Sequence, residues 1–179
     1  MTTRDRIRYR SSGDWALERR AAPSHAAAQV ALPAGLHAAV HGPVTTVIQQ
    51  GVDTRSEHAR LRGSGRLPVL GAIRVAGVLN SNFVDVISFP DQGTLTVTSA
   101  KRPGSLTLNL NGPHSDLAPT TRQTTRLTFT VSKATGEFAS FLGAQGTADL
   151  ILVTAGSTPL NPSLMSTSRG TFTLVLTVA

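Results

Sequence analysis

Residues 94–111 read TLTVTSAKRPGSLTLNLN, and this stretch decides the fold class. Apolar and polar residues alternate strictly in Thr94–Ala100 and again in Ser105–Asn111, which is the period of a strand with one buried face. Between the two runs, Lys101-Arg102-Pro103-Gly104 has the composition of a tight turn. The stretch therefore predicts an antiparallel hairpin that turns its leucines and valines inward.

Short β-branched runs separated by turn residues continue over residues 43–179. The other predicted strands are Val44–Gln50, Glu57–Gly63, Val69–Leu79, Phe83–Phe89, Thr124–Lys133, Gly146–Thr154 and Ser168–Val178. Pro90–Gly93 is predicted to be a turn, and Ala155–Thr167 a Pro/Ser-rich loop. Short connections force antiparallel neighbours. The sequence thus predicts an all-β domain, a single eight- or nine-stranded antiparallel barrel, whose lumen is filled or admits one small ligand.

Residues 1–42 differ in composition from the rest of the chain. They are rich in Arg and Ala and are interrupted by Pro23, Pro33 and Gly35. They predict a basic, largely irregular arm or linker ahead of the barrel domain at 43–179. Residues 1–66 carry ten of the 17 Lys and Arg, so the front of the chain accounts for most of the pI near 11.4. Such an arm either binds a polyanion or is simply a solvated tail.

Several classes of function are excluded or disfavoured by what the sequence lacks. Without cysteine there is no thiol catalysis, thiolate metal site or disulfide. No apolar run reaches the 18 or so residues of a membrane span. Phosphate loops, nucleophile elbows and dinucleotide fingerprints are missing, so no cofactor is predicted. Aromatic residues are not interleaved with basic ones, which argues against nucleic acid as a partner.

The candidate site residues follow from the alternation of faces. Asp85 is in phase with Phe83 and Ile87, and an inward carboxylate there would suit acid/base chemistry, although the opposite face is equally apolar. Asp149 shares its face with Ile151, but the other face of that strand is the better core candidate. The lumen-facing candidates for ligand binding are Phe83, Leu95, Val97, Leu108, Phe129 and Phe172.

A metal site is not predicted. His37 and His41 have the i, i+4 spacing of a helical metal pair, but they lie in a segment broken by Pro and Gly and have no third ligand nearby.

Three segments resemble the allene oxide cyclase and dirigent-like barrels, above all their uncharacterised bacterial relatives: GSGRLPVLGAIRVAGVL at 63–79, the hairpin at 93–113 and FTVSKATGEFASFLGAQGTADL at 129–150. Thr135, Gly136, Phe138, Gly143 and Gly146 occupy most of the family's T-G-x-[FY]-x-x-x-x-G-x-G corner, although the spacing of the final glycines differs. The resemblance implies a barrel with a hydrophobic lumen and, because family members form trimers or dimers, a homo-oligomer.

The family's catalytic residues transfer poorly to this chain. Its plant cyclases use a buried glutamate and a cavity cysteine, whereas this chain lacks cysteine and its only glutamate beyond residue 66 is Glu137, in a turn. Dirigent proteins place paired aspartates and an arginine in the barrel. Asp85, Asp149 and Arg126 match that set by residue type only.

A short segment, Leu17-Glu18-Arg19-Arg20 followed by Pro23-Ser24, resembles an L-E-x-R-x-x-P-S element near the N-termini of some bacterial surface proteins, and it favours an exported or cell-surface location. Three functions stay open. The first is a non-enzymatic barrel module, either structural or binding a small hydrophobic molecule in its lumen. The second is a cyclase- or dirigent-type enzyme acting on a hydrophobic substrate. The third is an assembly protein that binds nucleic acid or a partner through its arginine arm.

Overall fold

The computed structural model describes residues 37–68, 70–161 and 164–179. These residues form nine antiparallel strands and one short 3-10 helix, η1, at Gly136–Phe141. The strands are β1 His37–Gln50, β2 Thr54–Leu67, β3 Gly71–Val84, β4 Ile87–Ser88, β5 Asp91–Ser99, β6 Ser105–Gly112, β7 Gln123–Ala134, β8 Gln145–Asn161 and β9 Met165–Val178. The predicted all-β class is confirmed.

Eight of the strands close into a ring. Each pairs with its neighbours in the order β2-β1-β9-β8-β7-β6-β5-β3, and β3 pairs back with β2 from Thr54 opposite Val84 to Leu67 opposite Gly71. The ninth strand, β4, is a two-residue extension on β3. The sheet is therefore the predicted antiparallel barrel.

Inward-facing side chains form one apolar cluster in the barrel interior. Five of the six lumen-facing candidates belong to this cluster: Leu95, Val97, Leu108, Phe129 and Phe172. The sixth, Phe83, is only partly buried and lies near one end of the barrel. Side chains of mainly Leu, Val and Phe thus occupy the interior. Their burial stabilises the folded barrel.

The two ends of the barrel are closed differently. At one end, called here the helix mouth, η1 buries the rings of Phe138 and Phe141. At the other end, called here the loop mouth, the connection from β6 to β7 at residues 113–122 turns inward and buries Leu117. The loop mouth also receives the start of β2, the end of β3 and the start of β5.

The structure corrects several predicted boundaries. β1 begins at His37, so residues 37–42 are strand and not arm, while the rest of the predicted arm lies outside the described residues. Phe83–Phe89 is not one strand, because Asp85 has φ of 51° and turns the chain between β3 and β4. Asp91 begins β5 and is not part of a turn. The predicted loop at 155–167 is largely the paired ends of β8 and β9.

No helix among the described residues is long and apolar enough to cross a membrane.

Candidate functional site

The two predicted catalytic aspartates lie outside the barrel interior. Asp85 is exposed in the turn after β3. Asp149 lies on the outer face of β8, where it accepts hydrogen bonds from Arg126 Nε at 2.6 Å and Nη2 at 2.8 Å. These bonds hold the pKa of Asp149 below its ordinary value. Neither candidate therefore places a carboxylate in the barrel lumen, and for Asp149 this agrees with the prediction that the other face of its strand forms the core.

The histidine pair is on a strand and not on a helix. His37 and His41 belong to β1, and each Nδ1 lies 2.9 Å from a threonine hydroxyl of β9, in Thr177 and Thr173. Within the described ranges no group of three or more His, Cys, Asp or Glu could hold a metal ion.

Two other carboxylates point inward at the loop mouth. Glu57 of β2 is 3% exposed and Asp91 of β5 is 0% exposed. Glu57 is in phase with the inward Ala59 and Leu61, and Asp91 is in phase with Leu95. Because side chains alternate along a strand, Glu57 and Asp91 point inward at the loop-mouth end of the apolar core.

Glu57 joins the closing loop to the barrel wall. Its Oε2 accepts a hydrogen bond of 2.5 Å from the backbone N–H of Leu117, while Oε1 forms an ion pair with Arg55. Arg55 Nη2 also lies 3.3 Å from Asp116 Oδ1. From β1, the Thr46 hydroxyl donates to the Leu117 carbonyl at 3.0 Å. Both backbone groups of Leu117 are thus satisfied by side chains of the wall.

Asp91 holds the preceding residues of the same loop. Its carboxylate accepts hydrogen bonds from both the hydroxyl and the backbone N–H of Ser115. The Ser81 hydroxyl of β3 donates to the Ser115 carbonyl at 2.8 Å and lies 2.9 Å from His114 Nδ1. His114 Nδ1 is also 3.9 Å from Asp91 Oδ1. Since the Ser81 proton is committed to a backbone carbonyl, this Ser-His-Asp grouping does not present an activated nucleophile.

Both buried acids have a perturbed pKa. Loss of solvent raises the pKa of Glu57, and the Leu117 hydrogen bond and the charge of Arg55 oppose this rise only in part. Loss of solvent likewise raises the pKa of Asp91 against the hydrogen bonds from Ser115. Desolvation favours the neutral acid in each case. The loop mouth therefore holds two carboxyl groups that take up protons more readily than exposed ones.

Beside these groups lies a pocket of about 270 Å³, called here the mouth pocket. It is lined by Arg55, Glu57, Ser81, Phe83, His114 and Asp116. The Phe83 ring forms an apolar wall next to His114, with ring centroids 6.1 Å apart. The Nε of Arg55 is buried without a hydrogen-bond acceptor. A buried donor without an acceptor costs free energy, so a ligand oxygen placed there would stabilise it.

The mouth pocket contains only one of the sequence-predicted residues, Phe83. Glu57 and Asp91 were missed because one lies in a polar strand and the other in an apparent Pro-Asp-Gln-Gly turn. Strand phase was the available signal, since each acid is an even number of residues from buried apolar positions. The same phase applies to Arg55, but His114 and Asp116 had no such signal, because only the path of the loop brings them to this site.

Comparison of the chain with protein-family models, curated proteins and solved structures gave no match. The resemblance to the allene oxide cyclase and dirigent-like barrels therefore stays a prediction.

Proposed function

We propose that this barrel is a non-enzymatic binding module whose ligand site is the mouth pocket. The observation that carries the proposal is the contrast between the interior and the mouth. Apolar side chains pack into one cluster inside the barrel, whereas the loop mouth leaves a recess with an aromatic wall and the cationic side chain of Arg55. A small hydrophobic molecule is thus placed at the end of the lumen and not within it.

The side chains of the pocket select the chemistry of the ligand. One cation, Arg55, is already paired with two carboxylates, Glu57 and Asp116. An anionic ligand would meet this excess of negative charge, so a neutral ligand is favoured. Its apolar part would contact Phe83, and a hydroxyl or carbonyl oxygen would accept from the Arg55 guanidinium. We therefore expect a small neutral molecule with a ring or short chain and one oxygen.

Two fluorescent probes test this chemistry, 2-naphthol and naphthalene, which differ by one hydroxyl. We expect saturable 2-naphthol binding at one site per chain, with weaker binding of naphthalene. Phe83→Ala should weaken both probes by about five- to tenfold, because an aromatic contact is lost. Arg55→Met should weaken 2-naphthol more than naphthalene, because only the hydroxyl can accept a hydrogen bond from the guanidinium.

The matched control is Phe89→Ala, which removes an exposed ring outside the mouth pocket. It should leave both affinities unchanged, and thermal midpoints should establish that every variant is folded. If 2-naphthol binds Phe83→Ala as tightly as the wild type, the site is elsewhere and the proposal fails. If Arg55→Met weakens both probes equally, the oxygen-binding part of the proposal is wrong.

A second candidate function is an acid/base enzyme of the cyclase or dirigent type. It is favoured by one specific observation, the buried Glu57 carboxyl beside the pocket, whose pKa is raised by loss of solvent, because a raised pKa makes a carboxyl group better suited to general acid/base catalysis. The resemblance suggests a fatty-acid-derived allene oxide as the test substrate. Cyclisation faster than the spontaneous reaction, and lost in Glu57→Gln, would support an enzyme; a rate equal to that without protein would reject it.

The roles of the arginine arm and an exported location rest on residues 1–36, which lie outside the described residues, and both stay predictions.

A further inference from the structure

The outer face of β2 and β3 carries four arginines. Arg60, Arg62 and Arg66 of β2 and Arg74 of β3, called here the arginine face, all have exposed side chains. Elsewhere Arg55, Arg102 and Arg126 pair with carboxylates. Within the part of the chain that the structure describes, no ion pair or hydrogen bond engages the four guanidinium groups of the arginine face.

The strand register groups these four side chains closely. Arg74 lies opposite Ser64, and its diagonal neighbours on β2 are therefore Arg62 and Arg66. Diagonal cross-strand neighbours are about 7–8 Å apart, within reach of long side chains. Arg60 and Arg62 are two residues apart on one face of a strand, about 6.7 Å. The four charges thus form a compact zigzag along the barrel wall.

A recess of about 340 Å³ lies within this face. Its lining includes Arg62, Arg74, Ala76, Thr96 and Thr98. Ala76 lies between Arg62 on β2 and Thr96 on β5, and Arg74 lies beside Thr98. The small Ala76 side chain leaves room between neighbours that carry hydrogen-bond donors. Two arginines and two threonines therefore border this space, and their long or hydroxyl-bearing side chains supply donors for a tetrahedral oxyanion placed over it.

The acidic residues of the barrel do not neutralise this face. Residues 37–179 contain eleven Lys and Arg against seven Asp and Glu. The seven acids lie at the loop mouth and its adjoining turns or in ion pairs elsewhere: Asp53, Glu57, Asp85, Asp91, Asp116, Glu137 and Asp149. The arginine face lies toward the helix mouth, so among the described residues no carboxylate on this face opposes its positive potential.

We propose that the arginine face binds the phosphodiester backbone of duplex nucleic acid. One phosphate occupies the recess between Arg62 and Arg74, and Arg60 and Arg66 contact flanking phosphates. Arginine suits this role because its planar guanidinium pairs with phosphate through two hydrogen bonds. The absence of interleaved aromatic residues excludes stacking on unpaired bases, but a duplex backbone is bound without stacking.

A membrane surface fits this face less well. The two most exposed large apolar side chains of the described residues, Val52 and Val86, are 99% and 92% exposed. They lie in the turns at the loop mouth, and the arginine face lies toward the opposite end of the wall. A lipid surface would use apolar and cationic side chains together.

The test uses the full chain and a fluorescein-labelled 20-base-pair DNA duplex, with affinity measured by anisotropy at several salt concentrations. Arg62→Gln/Arg74→Gln should weaken binding at least about tenfold at 0.1 M salt. It should also reduce the slope of log affinity against log salt by about 1, since Arg62 and Arg74 share one phosphate and each lost phosphate contact removes about 0.9. The matched control, Arg122→Gln/Arg169→Gln, removes two exposed arginines from other parts of the barrel.

The control should bind within about twofold of the wild type. Equal affinity for the wild type and Arg62→Gln/Arg74→Gln would overturn the proposal, as would equal losses in both double variants, which would indicate a response to net charge alone. Heparin and vesicles of equal parts phosphatidylglycerol and phosphatidylcholine are measured in parallel. Tighter binding of either one, with the same dependence on Arg62 and Arg74, would also overturn it. Thermal midpoints of both variants near that of the wild type exclude unfolding.

Discussion

Glu57 performs two tasks with one carboxyl group. Its oxygens hold Leu117 and Arg55 in place, and its buried side chain borders the mouth pocket. Burial disfavours the charged form, whereas the hydrogen bond and the ion pair favour it. Because burial has the larger effect, the ionised acid is less favourable in the folded protein than in the unfolded chain.

The unfolding free energy should therefore depend on pH with a definite sign. A raised pKa means that the folded protein binds protons more tightly, so stability falls as pH rises from the ordinary carboxyl range through the folded pKa. Glu57→Gln removes one ionisable acid, and we expect a shallower fall. Urea unfolding between pH 4 and 7 measures this change.

Asp149→Asn is the control, because the pKa of Asp149 is shifted in the opposite direction to that of Glu57. Arg126 lowers the pKa of Asp149, so that pair contributes stability that is lost as pH falls. Removing it should abolish a gain of stability with rising pH that lies at and below the ordinary carboxyl range, and it should leave the fall of stability at higher pH unchanged. A Glu57→Gln variant whose pH dependence equals that of the wild type would contradict the assignment of a raised pKa to Glu57.

At the scale of single residues, the sequence could predict the core better than the site. Alternation correctly placed Leu95, Leu108 and Phe172 inside. It could not decide between the two faces at Asp85, because both were apolar and the chain reverses there with a positive φ. The position of His114 depends on how residues 113–122 enter the mouth, and no local pattern encodes that path.

Among the elements, the β5–β6 hairpin followed its sequence pattern most closely. Its strands were predicted at 94–100 and 105–111 and occur at 91–99 and 105–112. The ends of β8 and β9 were missed because Pro, Ser and Gly at 155–167 have the composition of a loop. Pairing across the barrel overrides this local composition, with register shifts near Gly156 and Asn161.

The helix mouth depends on η1, which is too short to be stable alone. Its Phe138 ring is fully buried in the core. Phe138→Ala should therefore lower the unfolding free energy by about 3–5 kcal/mol, the usual cost of removing a buried aromatic ring. Denaturant unfolding measures the loss, and Leu142→Ala, at an exposed position beyond η1, is the control. A loss below about 1 kcal/mol in Phe138→Ala would mean that the ring does not close the core.

For the molecule as a whole, closure of the sheet determines both which strand edges stay exposed and where we propose that a ligand binds. Pairing of β2 with β3 leaves the two-residue β4 as the only strand of the described residues outside the ring. Exposed edges that would drive association are thereby removed, and the predicted homo-oligomer must rest on side-chain surfaces. Closure also separates the packed interior from the mouth, which is why we place the ligand at the end of the barrel.

Methyl-labelled NMR during titration with 2-naphthol tests this placement most directly, because the methyl groups of the interior report independently of those near the mouth. We predict saturable shifts at Leu117, whose backbone N–H binds Glu57 of the mouth pocket, with deeper methyls such as those of Leu108 and Leu174 unchanged. Saturable shifts spread over Leu108 and Leu174, with none near the mouth, would contradict the account and place the ligand inside the barrel.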